Sequence, residues 1–154
     1  MKTLKIHRHN IHLVPDRARV ITRPLISAKP ERVRSILNRA LQLSEGEVEV
    51  ALAQTLRDFD QRHRNIKGVW NTHFQQVSGL LPPGFAPTEN RRLLIGSYFT
   101  CEYSIEGAAL FNPSIVPHPD QQGLPGGSLR FILSLRATGE GHISSIEFRT
   151  GIIG

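Results

Sequence analysis

The stretch of residues 106–151 limits the fold most strongly, because it holds three strand-like patterns with turn signals between them. Gly, Pro and Asp occur in the segments between these patterns, which is typical of short strands joined by loops. The second pattern runs directly into a polar cluster, Arg136-Ala-Thr-Gly-Glu-Gly-His142, and the third follows at once. The sequence therefore predicts a small β-structure with polar groups at its strand ends. The predicted strands are residues 114–116, 129–135 and 143–149.

Before these strands the apolar residues recur at helical spacing. Pro30 opens one amphipathic stripe, and the Ser44/Glu47 pair matches a capping box that starts a second helix. Ser27 is a candidate cap for the first helix. A third stripe, Ile66, Val69, Trp70, His73, Phe74 and Val77, follows the polar run 60–65. His73 on this stripe is interpreted as a packed histidine rather than a catalytic one.

The breaker cluster of residues 81–87 is the predicted internal boundary. Thr88 is expected to cap a fourth helix that runs to about Ser104 and is apolar on nearly every side, which is typical of a buried helix. Glu102 and Glu106 would share one face of that helix if it continued so far. Such carboxylates are either paired structurally or line a substrate pocket, and both interpretations stay open.

Residues 6–14 and 17–26 form two extended segments before the helices. His7, His9 and His12 suggest a metal, but no nearby carboxylate or cysteine completes a site, so we predict none. Cys101 is the single cysteine, which excludes an internal disulfide and any Cys-based zinc cluster. With a single cysteine, the expected compartment is the reducing cytoplasm. No apolar run reaches the roughly 18 to 20 residues that a membrane helix needs.

The excess positive charge lies in the first half of the chain. Residues 1–77 hold 14 Lys and Arg against 7 Asp and Glu, whereas residues 78–154 hold 5 against 6. This distribution leaves a basic helical module that binds nucleic acid or another partner as an alternative. The few aromatic residues and the lack of a binding motif argue against nucleic acid.

The candidate binding residues are Asn112 and three members of the polar cluster, Arg136, Glu140 and His142. Proline keeps Asn112 out of the helical region, so that its amide is displayed at a corner. The neighbouring glycines permit tight geometry that brings Arg136, Glu140 and His142 together. Arginine suits a carboxylate, a phosphate or paired hydroxyls. On chemistry alone, a hairpin joined by an Arg–Glu pair and a ligand site remain equally open.

Three segments, RRLLIGSYFTCEYSIEGAALF, FNPSIVPHPDQ and SLRFILSLRATGEGHISSIEFRTG, resemble the glycoside phosphorylases and hydrolases of family 130. The resemblance is to long bacterial members with a helical N-terminal extension. It implies a five-bladed β-propeller, of which this chain would supply the helical region and a first, incomplete blade. The implied divisions are an extended segment 1–26 that closes the propeller, a helical extension 27–81, a loop and buried helix 82–111, and the blade 112–154.

The resemblance also implies an activity. It predicts inverting attack on β-mannosides by inorganic phosphate, releasing mannose 1-phosphate, or by water in a related hydrolase. The general acid is expected beyond Gly154, because Asp120 does not match it, so the 154 residues alone are expected to be inactive. Asn112 and Arg136, then Glu140 and His142, would bind sugar hydroxyls or phosphate, with Glu102 and Glu106 lining the pocket.

No cofactor is expected besides phosphate as co-substrate. The expected partners are an oligosaccharide and phosphate, without a membrane, and a homo-oligomer stays open. A non-catalytic carbohydrate-binding module is a further alternative. In the long family members a histidine often occupies the position of Cys101, and a cysteine there would put activity in doubt if that histidine belongs to their site.

Overall fold

A computed structural model describes residues 6, 8–25 and 29–154 of the chain. Within them the helices are α1 Pro30–Gln42, α2 Glu45–Phe59, α3 Ile66–Val77 and α4 Glu89–Tyr98. The strands are β1 Val20–Pro24, β2 Thr100–Ser104, β3 Ala109–Pro117, β4 Leu129–Thr138 and β5 Ser144–Ile153. Single 3₁₀ turns occupy Asp60–Arg62, Ser78–Leu80 and Glu140–His142.

The chain divides into two compact units. We call Ala18–Ser104 the helical unit; the residues up to Arg17 together with Ile105–Gly154 form the sheet unit. The division falls after β2, whereas the breaker cluster of residues 81–87 lies inside the helical unit, between α3 and α4.

The helix starts agree with the local sequence signals. Ser44 Oγ accepts a hydrogen bond from Glu47 N while the Glu47 carboxylate accepts one from Ser44 N, which completes the predicted capping box. Thr88 caps α4 by accepting from Arg91 N. Pro30 stands in the first turn of α1, but the residue at the cap position is Lys29, without a side-chain cap bond. Ser27, the predicted cap, lies outside the described residues.

The apolar stripes of the four helices form the core of the helical unit. One cluster joins α1, α3, α4 and Phe99, and a second joins α2, α3 and α4 around Trp70. The burial of Trp70, His73 and Phe74 agrees with the predicted stripe of the third helix. The buried apolar side chains of the two clusters are Val33, Leu37, Ala40, Phe74, Val77, Ile95 and Phe99, and then Leu52, Ile66, Trp70 and Leu93.

The prediction of a fourth helix to about Ser104 is wrong beyond Tyr98. Phe99 is the C-cap, and Thr100–Ser104 continues as β2, which pairs antiparallel with β1 from Val20↔Ser104 to Pro24↔Thr100. Glu102 therefore lies on a strand and shares no helical face with Glu106. Thr, Cys and Tyr in this segment are compatible with a strand. The backbone hydrogen bonds to β1 decide that Thr100–Ser104 is extended.

The sheet unit contains a three-stranded antiparallel sheet in the order β3-β4-β5. The β3–β4 register shifts between Phe111 and Ser114, where Asn112 adopts a positive φ of 52°. This bulge allows β3 to pass through the Asn-Pro corner. All three strands are longer than the sequence predicted, since the pairing of β4 with β5 runs unbroken from Leu129↔Ile153 to Thr138↔Ser144.

The expected fold, a helical region followed by the first blade of a five-bladed β-propeller, is wrong. The described residues form four helices and two small antiparallel sheets of two and three strands, and neither sheet is a four-stranded blade. Within the extended segment expected to close a propeller, Val20–Pro24 pairs with β2 inside the helical unit instead. Among the described residues, no helix combines the length and the apolar character that crossing a membrane requires.

Candidate functional site

The bulge of β3 places Asn112 beside the middle of β4 and β5. A cavity of about 330 Å³ lies there, lined by Asn112, Ser134, Arg136, Ser144, Ser145 and Ile146. Asn112 has left-handed backbone geometry, which asparagine tolerates better than most residues. Directly opposed residues of antiparallel strands point to the same face, so the pairings of Phe111 and Ile146 with Arg136 gather these three side chains. The structure thus brings Asn112 and Arg136, two of the candidate binding residues, together at one cavity.

Arg136 is held from two sides. Its Nε and Nη2 donate to Ser144 Oγ at 3.1 and 2.9 Å, and its guanidinium lies over the Phe111 ring, 5.4 Å from the centroid. Within the described part of the chain no carboxylate neutralises it. The remaining donors of the guanidinium are therefore available to a ligand that carries negative charge or hydroxyl groups.

Glu140 and His142 do not line this cavity. They stand in the exposed 3₁₀ turn Glu140–His142, where Gly141 and His142 have φ values of 65° and 61°. Arg136 bonds to Ser144 rather than to Glu140, so the hairpin is not joined by an Arg–Glu pair.

Glu106 is fully buried in the sheet unit and accepts hydrogen bonds from two distant segments of the chain. It accepts from Asp16 N at 2.8 Å and from Arg149 Nη2 at 2.7 Å. Arg149 also contacts Glu147 at 3.3 Å. The hydrogen bond to Glu106 raises the pKa of Arg149 above its usual value. Glu106 is thus a paired carboxylate whose hydrogen bonds tie three segments of the sheet unit together.

Glu102 has its own partners in the helical unit. Arg62 donates to both carboxylate oxygens at 3.2 and 3.1 Å, and His63 Nε2 lies 2.7 Å from Oε1. Because a carboxylate only accepts, His63 donates from Nε2 and leaves Nδ1 free of its proton when neutral. Glu102 borders a narrow cavity of about 30 Å³ beside Trp70 and Thr100.

Three serines beside Arg136 were missed by sequence reasoning. Ser134, Ser144 and Ser145 stand on β4 and β5, and Ser145 Oγ is buried without a hydrogen-bond partner among the described residues. In the observed register, Ser134 is opposite Ser114 and Ser144 is opposite Thr138, so these hydroxyl residues lie on one face of the sheet. Single serines in strands are too common for that pattern to be selected without the register.

Comparison of the chain with protein-family models, with curated proteins and with solved structures gives no match. The candidate site is therefore argued from its own geometry. As for metals, the described residues contain no group of three or more His, Cys, Asp and Glu side chains placed to hold an ion. His7 lies outside those residues, and His12 Nε2 is 3.1 Å from Asn10 Oδ1.

His73 of the helical unit is a buried histidine with a defined tautomer. Its Nδ1 lies 2.7 Å from Thr100 Oγ1, and Thr100 uses its single hydroxyl proton to donate to Gly96 O at 2.8 Å. Nδ1 therefore carries the proton, and Nε2 is an acceptor. Burial lowers the pKa of His73 below its usual value of 6.5, because it penalises the charged form.

This pKa predicts an acid-sensitive stability. As the pH falls below 6.5, residue 73 of the unfolded chain binds a proton before the folded chain does, so the free energy of unfolding decreases. One such group contributes at most about 1.4 kcal/mol per pH unit. Urea unfolding at a series of pH values should give a weaker dependence between pH 7 and 5 for His73→Gln. An equal slope in both proteins would contradict the prediction.

Proposed function

We propose that the protein is a carbohydrate-active enzyme that acts on β-mannosides, and that the Arg136 cavity holds sugar hydroxyls or phosphate. The observation that carries this proposal is the Arg136 guanidinium, which has no carboxylate partner among the described residues and lies beside an amide and hydroxyl groups in one cavity. The resemblance of residues 91–151 to family 130 enzymes supports the same substrate class. We place the protein in the cytoplasm, in keeping with its single cysteine.

The chemistry of the cavity favours phosphate over water as the attacking group. An arginine that binds an oxyanion supplies charge-assisted hydrogen bonds to several oxygens, whereas a nucleophilic water needs a general base. Among the described residues, the cavity lining contains no carboxylate and no histidine. Arg136, Asn112 and Ser144 thus act as positioning groups, and we assign no proton transfer to them. We propose a phosphorylase that releases mannose 1-phosphate rather than a hydrolase.

A binding experiment tests this site without requiring turnover. Mannose 1-phosphate is titrated into the purified chain by calorimetry, and we expect Arg136→Met to weaken binding by about 10-fold or more, because charge-assisted hydrogen bonds are lost. Arg130→Met is the matched control on the same strand, since Arg130 already pairs with Asp120 at 2.9 Å. We expect this control to bind like the parent protein.

The proposal fails if the parent protein binds neither mannose 1-phosphate nor mannose at millimolar concentration. Equal affinity of the parent and Arg136→Met would remove the cavity from the binding site. Binding of mannose with no further gain from its phosphate group would select the hydrolase instead.

A further inference from the structure

One edge of the three-stranded sheet is formed by β5. Within the described part of the chain, β5 pairs with β4 on one side, and no described strand pairs with its outer side. The ladder with β4 runs through all 10 residues of β5 without a register shift. The strand contains no proline and no lysine, two residue types that protect natural sheet edges. A long and regular edge of this kind is a template for pairing with another strand.

The opposite edge, β3, is poorly suited to the same role. Pro113 and Pro117 each lack a backbone N–H, and the bulge at Asn112 interrupts the regular spacing of the strand. Contact of β5 with β3 of another copy would also leave a free edge on each copy and continue into an open chain. Contact of β5 with β5 of a second copy uses the same surface twice and closes as a dimer.

One face of β5 carries exposed apolar side chains, Ile146, Phe148 and Ile152, which we call the β5 stripe. They are 68%, 64% and 56% exposed, and their even spacing places them on the same face of the sheet. An added strand would bring its own side chains alongside this face and remove part of the stripe from water. Apolar burial of this kind is favourable by roughly 25 cal/mol per Å².

The charges of β5 select one register for a two-fold antiparallel pair. If Phe148 lies opposite Phe148 of the second copy, Glu147 of each copy lies opposite Arg149 of the other. A shift of the centre by one residue opposes either two Glu147 or two Arg149 side chains. Like charges directly opposed destabilise a pair of strands, whereas opposite charges and paired aromatic rings stabilise it. Within each copy, Arg149 contacts Glu147 and Glu106, which holds these charges in place.

We propose that the protein forms a two-fold dimer in which the β5 strands of two copies pair antiparallel, with Phe148 opposite Phe148. The two three-stranded sheets then become one continuous sheet. Backbone hydrogen bonds along β5 hold the copies together, the β5 stripe adds apolar contacts, and the charges fix the register. The dimer does not depend on the proposed function.

The dimer has a consequence for the Arg136 cavity. In the register centred on Phe148, Ile146 lies opposite Thr150 of the second copy, and Ser144 lies opposite its Ile152. Ile146 and Ser144 line the cavity, so the second copy extends one of its walls.

Sedimentation velocity at a series of protein concentrations tests the assembly. We expect the parent chain to pass from monomer to dimer without larger species. Phe148→Lys should raise the dissociation constant about 10-fold or more, because it removes the aromatic pair and opposes two positive charges. Val116→Lys is the matched control and should dimerise like the parent, since Val116 is 53% exposed on the same face of the other edge strand. Both substituted side chains are exposed, so circular dichroism should show both variants folded.

Disulfide cross-linking with oxidised glutathione, in a Cys101→Ser background, tests the register. Phe148→Cys should link to itself between copies, because opposed Cα atoms of antiparallel strands are about 4.5 to 5.5 Å apart, within the range of a disulfide. Ile146→Cys and Thr150→Cys should link to each other when mixed. Neither should link to itself, because four residues of offset separate the identical positions by about 13 Å.

The results that would overturn the dimer are distinct. A parent chain that stays monomeric up to high micromolar concentration would mean that something other than a second copy covers this edge. Assembly beyond the dimer, or a dimer that Phe148→Lys leaves intact, would also contradict pairing through β5. Self-linking of Ile146→Cys as efficient as its linking to Thr150→Cys would overturn the register. Loss of mannose 1-phosphate binding in Arg136→Met concerns the proposed function alone.

Discussion

A Gly96→Ala variant should lose about 3 kcal/mol or more of its unfolding free energy, at the upper end of what overpacking costs. A Cβ built on Gly96 would stand 1.9 Å from Trp70 O and 2.5 Å from Trp70 C. Both contacts are with the backbone of α3, so no side-chain rotation relieves them. The contact between α3 and α4 would have to open, which exposes the apolar surface around Trp70.

Urea unfolding followed by the fluorescence of Trp70 measures this effect. Trp70 is the single tryptophan and is 2% exposed, so its signal reports the helical unit. Gly46→Ala is the matched control, because no atom lies within 4 Å of its added Cβ in α2. Alanine is the better helix former by about 0.5 to 1 kcal/mol, and the control should therefore be slightly stabilised. An unchanged midpoint for Gly96→Ala would contradict the close approach of the two helices.

Arg91→Met is the second change with a large expected effect. Arg91 is 5% exposed, and its guanidinium donates to Ala40 O, to Leu43 O at 2.6 Å and to Glu45 at 2.9 Å. It thereby satisfies carbonyl groups at the C-terminal end of α1, which have no partner within that helix. Methionine fills much of the volume but leaves these groups unpaired, at a cost of about 1 to 3 kcal/mol each.

We expect the loss for Arg91→Met to be about 3 kcal/mol, with Trp70 fluorescence as the readout. Glu45→Gln tests the ion pair separately. Glu45 is half-exposed, and the hydrogen bond from Arg91 lowers the pKa of its carboxyl group. Its replacement should therefore cost much less than the loss of Arg91. If the two variants were equally destabilised, the ion pair rather than the carbonyl bonds would account for the role of Arg91.

The sequence predicted the helices best where the signal is local. The capping box at Ser44, the cap at Thr88 and the proline at the start of α1 act within one helical turn. The buried stripe of α3 was predicted for the same reason. At Thr100–Ser104 the apolar residues of α4 extended the helix prediction too far, although Cys101 and Tyr103 alternate with polar residues as in a strand.

The candidate site was predicted only in part. Asn112 and Arg136 were singled out for their chemistry, and the register of the sheet places them in one cavity. Glu140 and His142 were grouped with them because they are close in sequence, but a short turn directs them elsewhere. His73 was interpreted as a packed residue, and its burial agrees; its tautomer is set by Thr100, 27 residues away.

The sequence by itself determined where the helices begin, which of their faces are apolar, and that three strands follow one another near the end of the chain. These properties depend on periodicity and capping among residues a few positions apart. Only the tertiary structure decided that β1 pairs with β2, that Glu102 and Glu106 have separate partners, and that β3 bulges at Asn112. The physical reason is that a strand takes its backbone partners from distant residues, as Val20 does from Ser104, so its conformation depends on the partner that folding brings to it.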